Sequence, residues 1–165
     1  MRALIISDRR PVLPPSNSDR PRRDQGSGPR RLLPTGTRRP IVLIVDDDDN
    51  ARELYAWCMR AAGWLVEEVP NGEEALMAAV VLAPDAIVMD LRLPGIDGLE
   101  ATRRLKADPD TQIIPIAALS VLDRAQGEPL ATEAGCALYL SKPCAPEHLR
   151  DVVEQLVMDR EESPP

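Results

Sequence analysis

Apolar residues gather in five short runs between residues 41 and 140, and the stretches between them follow a longer period. The first run, Ile41–Val45, is wholly apolar and mostly β-branched, the pattern of a strand buried on both faces. Leu65–Val69 reads as a second strand, residues 86–89 as a third, 113–119 as a fourth and 137–140 as a fifth. The intervening segments have helical period. Asp49 or Asn50 can cap a helix reaching residue 62, with Leu54, Trp57, Cys58 and Ala61 at i, i+3, i+4 and i+7 on one face. Gly63 ends it. Pro70-Asn71-Gly72 turns the chain into a helix over 73–83, which Pro84 stops. A loop with Pro94 and Gly95 leads to a helix over 98–106. A fourth helix is expected around 128–134, short because Pro129 suits only a first turn. The last runs over 146–158, with Leu149, Val152, Val153, Leu156 and Val157 facing inward.

Five strands alternating with five helices predict an α/β fold, a doubly wound parallel sheet with helices on both faces. In such sheets, sites form beyond the carboxyl ends of the strands, where the strand order switches. The chemistry is therefore to be sought directly after each strand.

Charge divides the chain. The 165 residues have a formal net charge of -7, yet residues 1–40 hold ten arginines, no lysine and three aspartates, together with seven of the 17 prolines. Residues 1–39 read as a disordered, basic Arg/Pro-rich tail, too poor in apolar side chains to form a core. The acidic body is expected over residues 40–158, and residues 159–165 as a C-terminal disordered tail. The N-terminus lacks the apolar region and cleavage site of a secretory signal. No run approaches the ~18 apolar residues of a membrane span. Cys58, Cys136 and Cys144 have neither zinc nor disulfide spacing, so reduced thiols and a cytoplasmic location are expected. An acidic body whose aromatic side chains are Tyr55, Trp57, Trp64 and Tyr139 offers little to nucleic acid.

The strand ends are polar. Asp46-Asp47-Asp48-Asp49 follows the first strand, Asp90 the third, Ser120 the fourth, and Lys142-Pro143 the fifth; Lys142 is one of two lysines in the chain. If the first and third strands are neighbours, Asp46, Asp47 and Asp90 converge. Three close carboxylates repel, so their pKa values rise or a cation sits among them, and Mg²⁺ suits such an oxygen set. A lysine ammonium and a serine hydroxyl facing the same point complete a receptor for a phosphoryl group carried on a carboxylate.

The acidic pair, DLRLPGIDG from Asp90, Ser120 after IPIAALS and Lys142-Pro143 after YLS resemble the response-regulator receiver domain of two-component signalling. The gaps of 30 residues from Asp90 to Ser120 and 22 from Ser120 to Lys142 fit that family. The resemblance implies a flavodoxin-like five-stranded sheet of order 2-1-3-4-5. It implies that Asp90 is the phosphoacceptor and that Asp46, Asp47, Asp90 and the backbone carbonyl of Arg92 hold Mg²⁺, Asp47 directly and Asp46 through water. Ser120 and Lys142 would bind the phosphoryl oxygens. Tyr139 would change rotamer with Ser120 as a switch, and Pro143 would be cis. The expected partners are a histidine kinase or histidine phosphotransfer protein and a downstream effector protein. The sequence holds no DNA-binding domain, so a stand-alone receiver is expected, catalysing only its own phosphorylation and dephosphorylation.

Some positions depart from the family or take other roles. Arg92 and Leu122, each two residues past a site residue, are expected to slow loss of the phosphoryl group. Val121 should narrow the entrance for small phosphodonors, and Cys144 replaces a bulkier aromatic. Asp97-Gly98 reads as a turn and helix start, and His148 as a surface residue. Two other functions are formally open. A Mg²⁺-dependent aspartate-nucleophile phosphohydrolase would use Asp46-x-Asp48 but needs a later acidic pair that Ser120-Val121-Leu122-Asp123 does not supply. A phosphorylation-independent adaptor would need no acidic site.

Overall fold

A computed structural model describes residues 38–162. The chain alternates β1 (Ile41–Val45), α1 (Asp49–Ala61), β2 (Leu65–Val69), α2 (Gly72–Leu82), β3 (Ala86–Asp90), α3 (Gly98–Ala107), β4 (Ile116–Ser120), α4 (Arg124–Ala134), β5 (Leu138–Ser141) and α5 (Pro146–Glu162). The five strands pair in parallel in the order β2-β1-β3-β4-β5, the doubly wound α/β fold expected. Every residue of β3 and β4 is buried, as a central parallel strand covered on both faces requires. One core lies under α1 and α5, with Ile44, Tyr55, Met59, Trp64, Leu149 and Val153 in contact. A second lies under α2 and α3, built on Leu43, Ile87, Met89, Leu105 and Ile116, and a smaller third joins Leu91, Ala118, Ala131 and Tyr139. Because β1 and β3 are hydrogen-bonded neighbours (Val45 pairs with Met89), the residues that follow them emerge side by side.

Several local expectations are corrected. The N-cap of α1 is Asp48, whose carboxylate accepts from the N–H groups of Asn50 and Ala51. The buried face of α1 is Tyr55, Ala56, Cys58 and Met59, while Leu54 and Trp57 are 51% and 61% exposed. The helix carries two apolar stripes, and the sheet selects the one with Tyr55 and Met59. Helix α4 starts at Arg124, capped by Asp123, and runs through Pro129. Its first turn is held by Gln126 and Gly127 donating to the Asp123 carbonyl, and that cap supports the helix ahead of the proline. Strand β4 begins at Ile116, not 113: Pro115 has no N–H for the ladder, and Ile113 is exposed in the preceding turn. Helix α5 continues to Glu162, past the expected end at 158.

Among the described residues, Arg38 is the first to pack on the body. Its guanidinium forks onto Asp85 at 2.6 and 3.0 Å, and Asp85 also accepts from the Ile41 N–H at 2.8 Å. Arg39 donates to the carbonyls of Gly63 and Trp64. Residues 1–37 and 163–165, which hold most of the expected tails, lie outside the described residues.

Candidate phosphoacceptor site

The acidic cluster forms at the topological switch between β1 and β3. One carboxylate oxygen each from Asp46, Asp47 and Asp90 lies within 4.8 Å of the others. Asp46 and Asp90 are buried and Asp47 is exposed, so the cluster opens to solvent on one side. Lys142, beyond β5, reaches across: Nζ donates to Asp46 Oδ2 at 2.7 Å and to Asp90 Oδ2 at 2.5 Å. The other oxygens of these two carboxylates accept backbone N–H groups, Asp46 Oδ1 from Asp48 and Asp90 Oδ1 from Arg92. Asp47 alone of the three carries no such contact.

The four consecutive aspartates thus divide their tasks. Asp46 pairs with Lys142, Asp47 faces the opening, Asp48 caps α1, and Asp49 pairs with Arg52. The capping role of Asp48 removes it from any Asp46-x-Asp48 catalytic pair.

Burial sets the electrostatics. It pushes the Asp90 carboxyl above its ordinary range, against the pull of the Lys142 and Arg92 hydrogen bonds. Burial also pulls Lys142 down, but its hydrogen bonds and charge attraction to Asp46 and Asp90 outweigh that and hold the amine protonated. One fixed positive charge therefore faces three carboxylates. That excess negative charge, in an all-oxygen set open on one side, fits a hard divalent cation such as Mg²⁺.

The remaining predicted residues surround this centre. Ser120 ends β4, fully buried; its Oγ accepts the Leu122 N–H at 3.3 Å, and its carbonyl accepts the Lys142 N–H at 2.7 Å. Tyr139 is buried on β5 and donates its O–H to the Leu122 carbonyl at 2.6 Å. The Leu122 backbone therefore links Ser120 to Tyr139. The Lys142–Pro143 bond is cis, as expected. Behind it, the buried Tyr55 donates to the Cys144 carbonyl at 3.3 Å. The Arg92 side chain is exposed beside the site, and Val121 is exposed at its rim. Asp97 caps α3 through the Glu100 N–H, and Gly98 packs so closely on the Asp90 carbonyl that a Cβ would lie 2.0 Å from that oxygen. His148 is exposed on α5.

Three contributors escaped the sequence reading. Arg52 grips the Asp46 carbonyl, Gly127 lies directly over the Tyr139 ring, and Glu73 of α2 accepts the Ile96 N–H of the loop after Asp90. Only the Asp49–Arg52 spacing of three residues offered a local signal.

A parallel sheet of order 2-1-3-4-5 with an acidic pocket and a facing lysine at its carboxyl edge defines the receiver class of signalling module. Comparison with known proteins agrees. The response regulator receiver domain family matches residues 42–154, and the chain belongs to that family. It is 32% identical over 118 residues to the polar-differentiation response regulator DivK of Brucella anthropi, covering 72% of this chain and 96% of DivK. It is 34% identical over 118 residues to the DNA-binding dual master transcriptional regulator RpaA of Synechocystis, covering 72% of this chain but only 49% of RpaA, so it spans about half of that relative. Among solved structures, the receiver domain of sensor histidine kinase PA1611 from Pseudomonas aeruginosa, with a magnesium ion coordinated in its active-site cleft, is 30% identical. The match has a TM-score of 0.68 and covers 73% of this chain and 99% of that one. The family comprises signalling modules of two-component systems that bind Mg²⁺ at an acidic pocket. No helix among the described residues is long and apolar enough to cross a membrane.

Proposed function

We propose that this chain is a phosphoacceptor response regulator in which Asp90 takes a phosphoryl group from the phosphohistidine of a histidine kinase or phosphotransfer protein. A carboxylate oxygen of Asp90 forms the new bond to phosphorus, the P–N bond breaks, and the donor imidazole leaves. The observation that carries this reading is the Lys142 ammonium held between Asp46 and Asp90 at 2.7 and 2.5 Å, with Asp47 open beside them. Asp46, Asp47, Asp90 and the Arg92 carbonyl would hold Mg²⁺, which neutralises charge on the transferring phosphoryl group when bound. Lys142 leaves Asp46 and pairs with the phosphoryl oxygens.

Ser120 turns its hydroxyl to the same group. Doing so gives up the Leu122 N–H, and Leu122 is also the partner of Tyr139. The phosphoryl group thereby biases a two-state arrangement of the β4–α4 loop and Tyr139, and a downstream effector protein reads it. Arg92 and Leu122 prolong the phosphorylated state, Arg92 by charge and Leu122 by excluding water. The module works in the cytoplasm and catalyses only its own phosphorylation and dephosphorylation. Its receiver body spans residues 40–158, with α5 carrying the helix on to Glu162.

The test is phosphotransfer from a panel of autophosphorylated histidine kinases. Stoichiometric, Mg²⁺-dependent, acid-stable and base-labile label on the wild type, absent from Asp90→Asn, is expected. Equal labelling of the two proteins refutes Asp90 as acceptor, and equal capture of effector by both refutes the switch. Arg92→Asn and Leu122→Glu should shorten the labelled lifetime, and unchanged decay refutes their assigned roles.

A further inference from the structure

The geometry points to Arg52 as a positioning residue for the Asp46–Asp47 pair, an inference that rests on reading the three carboxylates as a cation site. Arg52 lies one turn into α1 with its side chain only 15% exposed. Its guanidinium faces oxygens from three separate elements. One terminal nitrogen donates to the Asp46 carbonyl at 2.6 Å, the other to the Asp49 carboxylate, and Nε lies 4.0 Å from Glu68 of β2. Glu68 is in turn held by Arg60 at 2.6 Å.

The Asp46 carbonyl is the decisive contact. The peptide unit is planar, so holding that oxygen restrains rotation of the whole unit that joins the Cα atoms of Asp46 and Asp47. The direction in which Asp47 leaves the backbone follows from it. Asp46 is also fixed by Lys142 and by the Asp48 N–H. Asp47 has no side-chain partner to aim it, so its aim depends on this backbone grip. The charge of Arg52 contributes too, since it stands behind a run of four aspartates and offsets their repulsion. A lysine here would keep the charge but, with a single nitrogen on a flexible stem, could not span the three oxygens as a planar fork does.

Groups that orient metal-binding side chains typically cost 10–100-fold in metal affinity when removed. The test is Mg²⁺ titration of the full chain by isothermal calorimetry with no phosphodonor present, comparing wild type, Arg52→Met and Arg52→Lys, with thermal unfolding of each in chelator. Arg52→Met is expected to weaken Mg²⁺ by about 10–100-fold. Arg52→Lys should recover only a minor part of that loss, although it unfolds close to wild type. If Arg52→Met is too unstable to titrate, Arg52→Lys decides alone, with about tenfold weaker Mg²⁺ expected. Affinity within about twofold of wild type in the folded variants overturns the inference. Failure of the wild type to bind Mg²⁺ at all refutes the cation site itself, and failure of phosphotransfer with Mg²⁺ binding intact refutes only the proposed function.

Discussion

A methyl group at Gly127 should drive the Tyr139 ring from its buried position. Gly127 sits in α4 above the Tyr139 ring, and an added Cβ would lie 2.2 Å from the hydroxyl oxygen and 2.3 Å from Cζ. No carbon tolerates such contacts, so either the ring leaves or α4 lifts. The inward ring is buried and gives its O–H to the Leu122 carbonyl. A tyrosine buries roughly 200 Å², and swinging about half of that into water costs about 2.5 kcal/mol at roughly 25 cal/mol per Å². Loss of the hydrogen bond adds about 1 kcal/mol. Replacing glycine by alanine within a helix returns about 0.5–1 kcal/mol. Gly127→Ala is thus expected to be destabilised by about 2–3 kcal/mol and to hold the Tyr139 ring outward. Urea unfolding gives the first quantity. The tyrosine ring resonances, resolved because the chain has two tyrosines and no phenylalanine, report the second. Unchanged Tyr139 resonances together with a stability gain of about 0.5–1 kcal/mol, the bare glycine-to-alanine effect, would refute the reasoning.

Three more outcomes follow from the same contacts. Burial holds the Asp90 carboxyl above its ordinary range, so ionised Asp90 weakens the apo fold; that penalty is absent below the ordinary carboxylate range and complete above the raised value. In chelator, Asp90→Asn should melt above wild type at neutral pH, with the gap closing as pH falls toward ~4; a variant melting lower at neutral pH contradicts this. Asp85→Ala leaves the Ile41 N–H and Arg38 without their shared acceptor and should lose about 1–2 kcal/mol in chemical denaturation. Arg38→Ala removes only an exposed ion pair and should lose less than about 1 kcal/mol; equal losses would show that the Ile41 contact is unimportant. Pro129→Ala restores the N–H that α4 lacks in its interior and should gain about 1–3 kcal/mol, whereas a loss would mean that the proline is required for the shape of α4.

Strands, their order of appearance and the polar residues that follow four of them were legible in the linear pattern, because a doubly buried strand needs a continuous apolar run and its functional residue follows directly. Asp46, Asp47, Asp90 and Lys142 were found that way and do meet. What the pattern could not supply was phase and partnership. Leu54 and Trp57 repeat at helical spacing as well as Tyr55 and Met59 do, and only docking on the sheet chooses which stripe is buried. Helix α4 overrides the interior proline because its cap holds the first turn and its small residues, Gly127 and Ala131, let it lie close on β5. The pairing of Lys142 with Asp46 spans 96 residues and exists only because parallel crossovers bring β1, β3 and the end of β5 to one edge. Arg52 on the Asp46 carbonyl and Gly127 over Tyr139 depend likewise on where two elements are set against each other. Short-range hydrophobic period specifies elements, while contacts between elements come into being only when the whole sheet closes.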